Sequence, residues 1–130
     1  MKSKKTTHGL IELRSDNILV FRPDLRTFKQ YDLQVLQDLK QDFIELTEGV
    51  PRPYMCDNRH VSILVNSEEK AYINENFTEF ATHLAMITQS PLMNIMMNSF
   101  NRVFKPKFDF KLFKSEEDAI VWLLQKSGKE

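Results

Sequence analysis

The hydrophobic period of the chain switches from that of a strand to that of a helix on either side of Lys114. Phe108, Phe110 and Leu112 alternate with Asp109 and Lys111, the pattern of a half-buried strand. Ser115 then offers an N-cap, with Asp118 three residues on. Glu116, Glu117 and Asp118 place negative charge at the positive end of a helix dipole. Ala119, Ile120, Leu123 and Leu124 continue as an apolar stripe. A strand that feeds straight into a capped, one-sided helix calls for a sheet with helices packed on it.

Earlier segments repeat this design. Leu10–Leu13 and Ile18–Phe21 read as two short strands, and Arg14–Asn17 between them has the composition of a hairpin turn. Residues 1–8 are basic and read as a loose, solvated tail ahead of a single domain over 9–127. Thr27, with Gln30 three residues later, is predicted to cap a long helix. Phe28, Tyr31, Val35, Leu39, Phe43 and Leu46 lie on its apolar face, and Gly49 and Pro51 end it.

Pro53–Cys56 reads as a buried strand running into the polar cluster Asp57–His60. Val61–Val65 fits either a strand or an apolar loop. Asn66 or Ser67 starts the second helix, whose buried face would be Ile73, Phe77, Phe80, Ala81 and Leu84. Leu84–Thr88 is a further central strand. Ser90 caps, and Pro91 opens, a Met-rich helix over 91–105. The order ββαβαβαβα predicts an α/β domain: a single-layer mixed, largely parallel sheet of about five strands with about four helices.

Composition excludes more than it assigns. A chain of 130 residues can bury a core without metals or disulfides. The single cysteine, Cys56, leaves no internal disulfide and no cysteine zinc site. Three glycines in no phosphate-binding pattern argue against a nucleotide loop, so no cofactor is expected. Zero net charge gives no global case for nucleic acid. Arg102, Lys105, Lys107, Lys111 and Lys114 alternate with core Phe residues and read as a solvated face. No run is long enough for stable membrane insertion, and a cytoplasmic location is the expectation.

His8, His60 and His83 form no metal-ligand spacing, and no Gly-x-Ser-x-Gly elbow occurs. A triad of Asp57, His60 and Ser67 can be drawn, but residues of these types permit such a drawing in most chains. A non-catalytic domain with no metal is the expectation.

Open α/β sheets bind ligands beyond the carboxyl ends of their strands. Asp57, Asn58, Arg59 and His60 should lie there, beside the helix starts at Asn66, Ser67 and Ser90. Exposed helix N–H groups next to Arg59 suit an anion or a partner protein; the plainer alternative is a turn with solvated Arg59 and His60. Met93 and Met97, four residues apart, would line an apolar ligand cavity or a dimer interface, or simply fill core.

This order of elements resembles the STAS fold of anti-sigma factor antagonists, and more narrowly a bacterial STAS-like branch grouped by fold with Sec14-type lipid-binding domains. Thr27-Phe28-x-x-Tyr31, Tyr54–Asp57, and Phe113-x-Ser115-Glu116-Glu117-x-Ala119-x-x-Trp122-Leu123 carry the likeness. The resemblance implies a regulatory binding domain with a protein partner. It also implies phosphorylation of a serine at the start of the second helix, here Ser67 in Asn66-Ser67-Glu68-Glu69. The flanking aspartate and glycine of that family pattern are absent, and two glutamates follow, so the plainer reading of Ser67 is a helix cap. A carrier of a small apolar ligand or lipid, working beside helix 91–105, is the alternative. Homodimerisation fits either.

Overall fold

Chain order and spatial order coincide in the sheet. The computed structural model describes residues 2–62, 64–92, 95 and 107–128. Its strands are β1 (Lys2–Lys5), β2 (Gly9–Leu13), β3 (Leu19–Pro23), β4 (Arg52–Asp57), β5 (Ala81–Ile87) and β6 (Asp109–Phe113). They lie in the order β1-β2-β3-β4-β5-β6. The first three pair antiparallel, and β3 to β6 run parallel, with Leu19 beside Tyr54, Tyr54 beside Leu84 and Leu84 beside Phe110. The helices are α1 (Leu33–Thr47), α2 (Ser67–Asn76, followed by a 3₁₀ turn Phe77–Glu79) and α3 (Glu116–Lys126).

The strand period of two divides the core into two layers. Leu19, Phe21, Tyr54, Cys56, Leu84 and Met86 face one way, under Leu39 and Phe43 of α1 and the turn residues Phe77 and Phe80. Val20, Met55, Ala85 and Ile87 face the other way, against Ala119 and Leu123 of α3. Two successive crossovers on one face follow from right-handed connections stepping in one direction along the sheet.

The α/β class and the largely parallel sheet match the sequence reading, and several boundaries differ. Lys2–Lys5, expected within a loose tail, form an edge strand. Its lysines meet an acidic face of α1: Lys4 Nζ lies 2.7 Å from Asp42 Oδ1 and 2.8 Å from Glu45 Oε2, and Lys2 Nζ 3.2 Å from Glu48 Oε2. His8 Nε2 lies 3.0 Å from Asp38 Oδ2. Helix α1 starts later than predicted. Thr27 lies ahead of the helix and donates its hydroxyl to Thr7 O at 2.8 Å, while Asp32 is the cap, accepting from Val35 N–H. Glu48 at φ 55° and Gly49 at φ 78° end the helix, with Gly49 N–H donating to Ile44 O.

Of the two candidate caps for α2, Asn66 is the one used. It accepts from Glu69 N–H while Glu69 accepts from Asn66 N–H, both at 2.8 Å, and Ser67 is the first helical residue. Ala81 and Leu84, expected on the helix face, belong to a strand that starts at Ala81, and Phe77 and Phe80 lie in the turn before it. A central strand buried on both faces loses its alternation, and periodicity cannot separate it from a helix. Val61 and Val65 are partly buried without joining a named strand, and Ser62 makes only an isolated bridge to Gln30. Pro91, Leu92 and Ile95 are helical; Met93, Met97, Arg102 and Lys105 of the expected helix 91–105 lie outside the described residues.

Candidate functional site

Four parallel strands bring the ends of β3, β4, β5 and β6 to one rim, together with the starts of the helices at Asp32, Asn66 and Ser115. The candidate residues gather at this rim but divide between the two sides of the sheet, because Asp57 and Asn58 are consecutive. Asp57 turns toward α3. Its carboxylate accepts from Arg59 Nε at 2.8 Å and Nη2 at 2.7 Å. Glu116, in the first turn of α3, accepts from Arg22 Nη1 at 2.6 Å and Nη2 at 2.9 Å, while Arg22 Nε donates to Glu12 at 2.9 Å. Arg59 Nη2 lies 3.8 Å from Glu116, which joins the two groups. Arg59, expected to be free for a partner, is therefore engaged within the chain.

The carboxyls respond as this geometry requires. The Arg59 guanidinium holds Asp57 below the usual range, against the opposing effect of burial, and the Arg22 guanidinium does the same for Glu116. A depressed folded-state pKa contributes stability at pH values above the unfolded value, and that contribution is lost as pH falls through the folded value. The midpoint of urea unfolding should hold steady between neutrality and about pH 5, then fall below about pH 4, the ordinary carboxylate range. Glu116→Gln should flatten that acid limb; an unchanged limb would show that the network contributes nothing.

Asn58 turns to the other side. It is 3% exposed, its N–H donates to Ile87 O at 2.9 Å, and it meets Tyr31 Oη at 2.7 Å and Cys56 Sγ at 3.4 Å. Burial raises the Tyr31 hydroxyl well above the ordinary phenol value and pushes the Cys56 thiol up to about 12, so both are neutral at physiological pH. Cys56 is thus a buried core thiol rather than a nucleophile.

These three side chains line a cavity of about 140 Å³ between α1, α2 and the sheet. Its apolar wall includes Leu39, Phe43, Tyr54, Phe77, Phe80 and Leu84, and Val65 and Ile73 approach from the α2 side. The space exists because α2 contributes no fully buried residue. Lys40 Nζ ties the two helices, donating to Asn76 Oδ1 at 2.7 Å and Glu79 Oε2 at 2.9 Å. Sequence reasoning placed a cavity beside Met93 and Met97 and missed this one. The available signal was the sparse apolar content of Ser67–Asn76, too little to seal a layer against β4 and β5.

His60, Ser67 and Ser90 are exposed, and Ser90 N–H donates to Thr88 Oγ1 at 3.2 Å. Among the described residues no hydrogen bond joins Asp57, His60 and Ser67, since the Asp57 carboxylate is taken by Arg59. His83 is a satisfied core histidine, its Nε2 lying 3.1 Å from Leu123 O and its ring against Trp122. Among the described residues no group of His, Cys, Asp and Glu side chains could hold a metal, and no helix is long and apolar enough to cross a membrane.

The fold is the SpoIIAA-like, or STAS-like, α/β fold. An uncharacterized protein of the DUF3478 family from Shewanella loihica PV-4, with a SpoIIAA-like fold, superposes with a TM-score of 0.62; the match covers 87% of this chain and 90% of that one at 18% identity. The chain itself belongs to the family described as Domain of unknown function (DUF7793), which it matches over residues 11–127. No curated protein matches it.

Proposed function

We propose that the domain works by binding rather than by chemistry, and that it holds a small apolar molecule in the cavity between α1, α2 and the sheet. One observation carries this reading: a space of about 140 Å³ walled mainly by aromatic and aliphatic side chains, with the neutral groups of Tyr31, Cys56 and Asn58 together and Lys40 and Lys70 also in the lining. A dry apolar cavity of about 150 Å³ in another protein is large enough to take benzene. The carrier alternative from the sequence thus keeps its chemistry but moves from the Met-rich helix to the α1–α2 side.

Native mass spectrometry of protein purified from its own host tests it. A small-molecule adduct should appear on the wild type and disappear in Val65→Trp, where an indole fills the space from the α2 side. No adduct, together with no thermal shift under benzene, ends the reading.

A second reading, docking of a partner protein in bacterial regulation, is favoured by where apolar surface is left bare. Leu25, Leu64, Leu92 and Ile95, between 55% and 67% exposed, follow the ends of β3, β4 and β5 on the same rim. The STAS-like fold supports this reading, and cytoplasmic residence, homodimerisation through the rim and phosphorylation of exposed Ser67 belong with it. Leu25→Asp with Leu64→Asp should abolish crosslinking to a partner, or to a second copy, without lowering the melting temperature. Unaltered crosslinking rejects the rim.

A further inference from the structure

We infer that the cavity selects a neutral, ring-sized molecule carrying one hydrogen-bond acceptor, and that the Asn58 carboxamide is the group that reads it. This rests on the proposed apolar-ligand site and adds to it the polar feature of the ligand.

The argument is a count of donors. A carboxamide has two N–H hydrogens and one oxygen. Asn58 is 3% exposed, and among the described residues its side chain has two polar partners, Tyr31 Oη at 2.7 Å and Cys56 Sγ at 3.4 Å. With its oxygen accepting from Tyr31, one N–H meets the sulfur and the second meets no described residue. Turned by 180°, one N–H meets Tyr31 Oη, the oxygen accepts from the thiol, and again one N–H is left over. Either way a buried donor lacks a partner among the described residues, on a residue that lines the cavity. Leaving such a donor unmatched costs free energy that a ligand oxygen would recover.

The position is fixed as well as the chemistry. The Asn58 backbone is held by Ile87 O, and Tyr31 packs edge-on against Phe28 and Phe21. The amide is thus presented on a rigid wall rather than a mobile loop. The remaining polar groups near it, the Tyr31 hydroxyl and the Cys56 thiol, are uncharged. Two lysines also belong to the lining: the Lys40 ammonium is occupied by Glu79 and Asn76, and Lys70 is likewise not free. A single acceptor, such as a ketone or ether oxygen, is what this wall matches.

Cyclohexanone and methylenecyclohexane, which differ by an oxygen against a CH₂ on the same ring, make the test. Binding is followed by NMR titration of ¹⁵N-labelled full-length protein. Cyclohexanone should bind about tenfold more tightly, the worth of one hydrogen bond, and Asn58→Leu should erase that preference while retaining methylenecyclohexane. The wild-type Asn58 side-chain NH₂ resonances should move with the ketone and not with the hydrocarbon, a readout that survives if the variant fails to fold. Equal binding of both probes overturns the Asn58 inference and leaves the cavity reading standing. Binding of neither overturns both.

Discussion

Phe21→Ala should lower the free energy of unfolding by about 3–5 kcal/mol, the range for removing a buried aromatic ring. Phe21 is fully buried on β3, paired in register with Ile11 on one side and Cys56 on the other. Its ring is met edge-on by Phe28 at 5.8 Å, Tyr31 at 6.4 Å and Phe43 at 6.2 Å between centroids. Phe43 is held on α1 and Phe28 and Tyr31 are buried in the segment between β3 and α1, so the space left by alanine cannot collapse cheaply. Urea denaturation measures the loss, with Leu25→Ala as the control: that side chain is 55% exposed and should change little. A Phe21→Ala midpoint equal to wild type would mean that the aromatic layer is not packed as described.

Gly9→Ala should cost about 2–4 kcal/mol, in the upper part of the range for single substitutions. Gly9 opens β2 opposite Pro23 at φ 154°. A methyl group there would lie 2.3 Å from Arg22 O and 2.8 Å from Pro23 Cα. Both obstacles are backbone, so no side-chain rotation relieves them, and β2 must move away from β3. That movement also loosens β1, because Gly9 exchanges hydrogen bonds with Thr6 in the connecting turn. Hydrogen exchange should therefore accelerate over residues 2–5 as well as at the substitution. Gly49→Ala is the comparison: φ is 78° but no atom lies within 4 Å of the added carbon. Only the left-handed strain remains there, about 1–2 kcal/mol. Equal losses at the two glycines would show that the contact with Arg22 and Pro23 is not what matters.

What could be read from the sequence was whatever is written locally. The cap at Ser115 and the acids after it define α3, and the apolar runs around Tyr54–Cys56 and Leu84–Ile87 identify the paired central strands. What escaped depends on distant groups. β1 has no apolar residue to announce it and is held by acids of α1 that lie far along the chain. Thr27 has the right side chain for a cap, yet the helix is capped at Asp32 and the Thr27 hydroxyl goes to Thr7 O in the distant β1–β2 turn. The polar cluster was located correctly at the strand ends. Its partition was not, since only the phase of β4 decides that Asp57 joins the Arg22–Glu116 network while Asn58 enters the cavity wall. An empty space is harder still to infer, because it reflects side chains that α2 lacks.

Neighbour-to-neighbour strand order has a consequence for synthesis. Each strand can dock on the one made just before it, so the sheet can grow as the chain leaves the ribosome. The side holding Val20, Met55, Ala85 and Ile87 is covered by α3, the last element among the described residues. Until residues 116–126 emerge, that greasy surface stands open to chaperones and to sister chains.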